Sequence, residues 1–181
     1  MVISVSEYVI DIETAMIAQV NSAKQPGDNT KNFFNAVDAF PGQKGEEFLE
    51  LTRRTAPSCY FRLDRSLNRV KQLDVPVMSG KPFAQGATEG RELLVWSVFI
   101  CAKSLRSIKE QTIGGPGVIG AYDIMTLLIG PPNSPPSTPG QLRGWQPIES
   151  AEPFIYVGRE LLGQTTAACA YEMQFMTRVQ L

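Results

Sequence analysis

The sequence predicts an α+β domain: a mixed, mostly antiparallel sheet with two or three helices packed on one face, plus an extended arm and loop. Three observations carry this. Leu93 to Ala102 is a near-continuous apolar run rich in β-branched and aromatic residues, which suits a strand covered on both faces, or on one face by a helix and on the other by a partner. Downstream, Val118, Ile119, Tyr122, Met125, Thr126 and Ile129 recur at helical spacing. Near the end, Cys169, Tyr171, Met173, Phe175, Thr177 and Val179 alternate with Ala170, Glu172, Gln174, Met176 and Arg178, as in a strand with one core face. The first half alternates helix and strand while the second half is strand-dominated, the pattern of α+β rather than of a doubly wound sheet.

Taken in order, Ser4 or Ser6 can cap a first helix, with Glu7 in its opening turn. Val5, Tyr8, Val9, Ile12, Met16 and Val20 share one face, and Pro26-Gly27 sets an end near Ala23. Gln25 to Lys31 reads as a polar loop, and Phe33 to Phe40 as a strand stopped by Pro41-Gly42. Glu46 to Arg54 is a short helix with acids at its start and arginines at its end, as the helix dipole prefers. Ser58 to Leu63 is the next strand.

Residues 64–90 read as a long arm or insertion carrying Arg65, Arg69, Lys71 and Lys81; its charges suit either neighbour contacts or a solvated face. The central strand spans Glu92 to Lys103, a polar linker follows, and the helix covers roughly Gly117 to Ile129. Residues 130–140 hold Pro131, Pro132, Pro135, Pro136 and Pro139, so they are expected to be extended and largely exposed, as a docking arm or a surface linker. One or two strands are expected over Leu142 to Val157, a turn over Gly158 to Leu162, and a last strand over Thr165 to Val179.

At 181 residues, a single domain spanning 1–181 is the natural expectation. A net charge of −1 gives no bulk attraction to nucleic acid or an anionic membrane. No signal peptide is expected, because the N-terminus lacks a basic region followed by an apolar core. No apolar stretch approaches the roughly 20 residues that cross a bilayer. The chain has no histidine, which removes the commonest general base and metal ligand and every Ser-His or Cys-His arrangement. Cys59, Cys101 and Cys169 lie in apolar runs and read as buried, reduced thiols, too scattered for a zinc site.

Gly115, Gly117 and Gly120 fit G-x-G-x-x-G as a string, but a polar linker separates them from the strand and no acid follows at dinucleotide spacing. The plainer reading is a flexible helix start, with Gly120 letting the helix lie close to the sheet. Asp11 and Glu13 diverge on their helix, and no pair of acids converges. Neither a catalytic set, a cofactor nor a metal is expected. Candidate contact residues are Arg65, Arg69 and Lys71 in the arm, Asn133, Ser134 and Thr138 in the Pro-rich loop, and Arg178 on the polar face of the last strand, where it either bridges subunits or meets solvent. Sheet edges and arms of this kind suit heterologous contacts between copies.

Three stretches together resemble the Mu-like bacteriophage tail terminator (tail completion) family. They are Phe40-Pro41-Gly42 with the Glu46–Arg54 helix and Ala56-Pro57-Ser58; the strand, linker and Gly-Ala-Tyr-Asp helix at Gly120 to Leu128; and Gly163 to Val179 with Phe175-Met176-Thr177-Arg178. The long arm and the enlarged Pro-rich loop depart from that pattern. The resemblance implies a structural, non-enzymatic virion subunit, assembled in the host cytoplasm. It would form a homohexameric ring at the head-proximal end of the tail, end tail-tube polymerisation and join the head connector, with a sheath as a further partner in a contractile tail. A head-completion or neck connector role is the alternative; a nucleotide-binding enzyme is a third reading.

Overall fold

A computed structural model of the chain describes residues 5–42, 48, 50, 54–67, 91–103, 108–115, 118–131, 134–135, 137–165 and 167–180. The named elements are α1 (Val5–Asn21), β1 (Lys24–Gln25), β2 (Asp28–Asn32), β3 (Ala36–Ala39), β4 (Ser58–Leu67), β5 (Arg91–Lys103), α2 (Ile108–Ile113), α3 (Ala121–Ile129), β6 (Ile155–Gln164) and β7 (Ala168–Gln180).

Five strands form one mixed sheet in the order β3-β4-β5-β7-β6, and β1 and β2 form a separate hairpin. Only β3 and β4 are parallel; the other pairs are antiparallel. This is the α+β architecture expected. The β5–β7 ladder runs unbroken from Arg91 opposite Gln180 to Lys103 opposite Ala168. Its regularity follows from burial, since a one-residue slip would turn the whole core set of β7 outward.

One face of the sheet carries Cys59 and Phe61 from β4, Leu94, Trp96, Val98, Ile100 and Ala102 from β5, and Cys169, Met173, Phe175 and Val179 from β7. Against it lie Tyr8, Ile12, Met16 and Val20 of α1 and Ala121, Ile124, Met125 and Leu128 of α3. Helix α2 touches the same face, its Gln111 carbonyl lying 3.5 Å from the Cys169 thiol. The opposite face is also covered: Phe48 packs on Tyr60 and Phe99, while most of the expected Glu46–Arg54 helix lies outside the described residues. Burial on both sides is why β5 reads as a continuous apolar run.

Several expectations change. The α3 stripe is Ala121, Ile124, Met125 and Leu128, so Tyr122 and Thr126 face outward rather than inward. The helix starts at Ala121, not near Gly117, and this set satisfies the i, i+3, i+4, i+7 rule. Residues 25–31 belong largely to the β1–β2 hairpin, turned at Pro26-Gly27 with Gly27 at φ 82°. Strand β3 is shorter than Phe33 to Phe40, and β4 runs on to Leu67, so the arm does not begin at 64; residues 68–90 lie outside the described residues. The linker after β5 contains α2. Residues 143–150 form turns, with Trp145 stacked on Phe154. Gly158 to Leu162 is not a turn but the middle of β6.

Within residues 130–140, the described ones, 130–131, 134–135 and 137–140, are exposed in part but tied to the body. Gln19 Nε2 donates to the Thr138 and Gln141 carbonyls at 3.0 and 3.1 Å, and the Gly140 amide donates to the Gln19 carbonyl at 3.1 Å. Arg143 Nη2 donates to the Gly130 and Pro131 carbonyls at 3.0 and 2.9 Å. Gly140, at φ 81°, sits so close to Ala23, just past α1, and to Leu127 of α3 that a Cβ would lie 2.8 and 3.1 Å from them.

Candidate interaction surface

Among the described residues, strand β6 is one edge of the sheet, pairing only with β7. Its register slips between Tyr156 and Gly158 and between Leu161 and Gly163. Each bulge inserts an extra residue, Val157 and Leu162, and breaks the period-2 pattern. The result is an edge with Val157, Leu161 and Leu162 all exposed, Leu161 by 47%.

Arg159 sits at the centre of this strand, opposite Met173 and so on the helix-bearing face. Its guanidinium lies over the Tyr122 ring, 5.1 Å from the centroid, and Nη1 is 3.0 Å from the Met125 sulfur. Helix α3 supplies both partners because Tyr122 and Met125 are three apart and share the margin facing β6. Tyr156 and Tyr171 complete the surroundings. Burial pushes both phenols up, while the positive charge of Arg159 opposes that shift. A thioether and a ring face satisfy a guanidinium poorly. Among the described residues Arg159 forms no ion pair, so most of its five donors remain open to an anion. Stacking on Tyr122 holds its planar fork in place and reduces the order lost on binding.

A second exposed patch lies on α1. Tyr8, Ile12, Met16 and Val20 point into the core, which leaves Ile10 60% exposed with Asp11 exposed beside it. Helix α1 packs over β3 and β4, at the opposite end of the sheet from β6.

The anticipated contact residues are not gathered together. Arg65, on β4, has its Nε 3.9 Å from the Asp64 carboxylate. Arg69, Lys71 and Asn133 lie outside the described residues. Ser134 Oγ is 2.9 Å from the Pro131 carbonyl and 2.5 Å from Gln141 Oε1. Thr138 Oγ1 donates to the Pro135 carbonyl at 2.8 Å. These hydroxyls fold the loop on itself. Arg178 lies on the face opposite α1 and α3 and is half-buried, not fully open. Sequence reasoning missed Arg159, Tyr122 and Ile10; the signal available was Arg159-Glu160 inside an apolar edge segment.

Two further groups bear on chemistry. The Tyr8 hydroxyl donates to Glu92 Oε2, and burial pushes this carboxyl up. The cysteines are buried: desolvation pushes Cys59 well up, with Cys101 adding to it, and takes Cys169 to about 11. At the glycine-rich segment, Gly117 lies outside the described residues. The Gly120 amide donates to Asp123 Oδ2 at 2.9 Å, so the protein's own carboxylate occupies the amide end of α3 where a phosphate would sit. Gly120 fits close not to the sheet but to the backbone after α2: a Cβ there would lie 2.2 Å from the Gly114 nitrogen. Among the described residues no group of three or more Cys, Asp or Glu side chains is placed to hold a metal ion, and no helix is long and apolar enough to cross a membrane.

No protein-family model, curated protein or solved structure matches the chain.

Proposed function

We propose that the chain is a structural virion subunit that works by assembly. In this reading, copies form a ring at the head-proximal end of a phage tail, end growth of the tail tube and join it to the head connector. The observation that supports assembly is the β6 margin. Three exposed aliphatic side chains and an arginine without an ion pair among the described residues stand together on a sheet edge. A sheet edge with exposed aliphatic side chains suits burial against another chain. The choice of phage tail as the assembly comes from the sequence resemblance. The partners would be other copies of the chain, the tail tube, the connector and, in a contractile tail, the sheath; its place would be the neck of the virion.

Deleting the gene tests this. Loss of a terminator gives tails of abnormal, uncontrolled length. Tails of normal length that fail to join heads would point instead to a neck connector. Normal virions would remove both readings.

A further inference from the structure

Two exposed patches of opposite charge lie at opposite ends of the sheet on its helix-bearing side. At one end, Arg159 and Tyr122 are flanked by Leu161, which pairs with Tyr171 on the same face. At the other, α1 presents Asp11 beside the exposed Ile10. Neither Arg159 nor Asp11 makes an ion pair among the described residues. The α1 patch is acidic, with Glu7 exposed one turn before Asp11, and the β6 patch presents the Arg159 cation; each joins its charge to an apolar group, so the two are complementary in both respects.

We propose that these patches bind one another between copies of the chain. Asp11 of one copy accepts hydrogen bonds from Arg159 of the next, and Ile10 covers Tyr122 and Leu161. This deepens the assembly reading above and rests on it. Because the patches sit at opposite sheet margins, and so in separate interfaces, the contact is heterologous. Each subunit uses one patch as donor and the other as acceptor, so the chain of contacts ends only by closing into a ring. The apolar surround matters: an exposed ion pair alone is worth little, whereas one at the centre of a desolvated contact sets partner and register.

The test is a charge exchange, read by sedimentation velocity of the full chain over a concentration series. Arg159→Glu and Asp11→Arg each weaken self-association by about tenfold or more, while Arg159→Glu with Asp11→Arg recovers it. Both side chains are exposed, and matching circular dichroism spectra confirm that the variants fold. An oligomer indifferent to both single exchanges overturns the contact but leaves the assembly reading standing. Loss in the single variants without recovery in the double overturns the pairing of these two residues. A wild-type chain that stays monomeric at roughly 100 µM, far above the concentration a stable ring requires, overturns the contact and the assembly reading together.

Discussion

Gly120→Ala removes nothing and adds one methyl group, yet the packing says it will be costly. A Cβ at this position would lie 2.2 Å from the Gly114 nitrogen, 2.6 Å from the Ile113 carbonyl carbon and 2.8 Å from Gly114 Cα. All three are backbone atoms, so no side chain can swing aside. The first distance is more than an ångström inside ordinary van der Waals separation. Relief requires the start of α3 to move away from α2, taking Ile124, Met125 and Leu128 out of register with the sheet. Overpacking of this kind costs about 3 kcal/mol. Alanine also restricts the unfolded chain and returns up to about 1 kcal/mol. The net is about 2 kcal/mol, or a fall in Tm of about 4–8 °C for a chain of this size. Urea unfolding followed by tryptophan fluorescence reads it directly. Gly158→Ala is the control: it has open space and no positive φ, so it should unfold within about 0.5 kcal/mol of wild type. A Gly120→Ala protein as stable as that control would refute the reasoning.

Glu92→Gln should raise stability near neutral pH. Burial raises the folded-state pKa of Glu92 above its ordinary value of 4.5, so the folded state holds its proton more tightly than the unfolded state. The resulting stabilisation is complete below the unfolded value and is lost as pH rises through the folded one. Glutamine keeps an acceptor for the Tyr8 hydroxyl, so the advantage of the variant should shrink to nothing by about pH 4. An advantage that does not change with pH would contradict this. Arg143→Ala removes the donors to Gly130 and Pro131 and should speed proteolysis within residues 131–139 by about tenfold, with little change in global unfolding. Unchanged cleavage would mean that the Gln19 and Ser134 contacts hold the loop without Arg143.

Strands β5 and β7 were legible because burial dictates their patterns. Two covered faces give β5 a run broken only by Ser97, while in β7 a largely buried face set against a partly buried one, with Glu172, Gln174 and Arg178, gives a readable alternation. Strand β6 was hidden because its two bulges shift the phase and because an edge strand need not be polar on either side. The β1–β2 hairpin was missed for the opposite reason. Asp28 to Asn32 bury almost nothing, and bonds such as Lys24 Nζ to Asn32 Oδ1 at 2.7 Å leave no periodic trace. One tie of the Pro-rich loop, at Thr138, comes from Gln19, more than a hundred residues away, which local composition cannot reveal. The candidate surface shares this difficulty. Tyr122 was placed inward by a helical stripe one position out of phase, and only the true phase brings it under Arg159.

Electron microscopy of the purified protein, alone and mixed with tail tubes, tests the assembly reading most directly. Closed rings, seen free and capping tail tubes at the head-proximal end, are the expected result. Single particles of about 19.9 kDa, with tube ends bare of this chain, would contradict it.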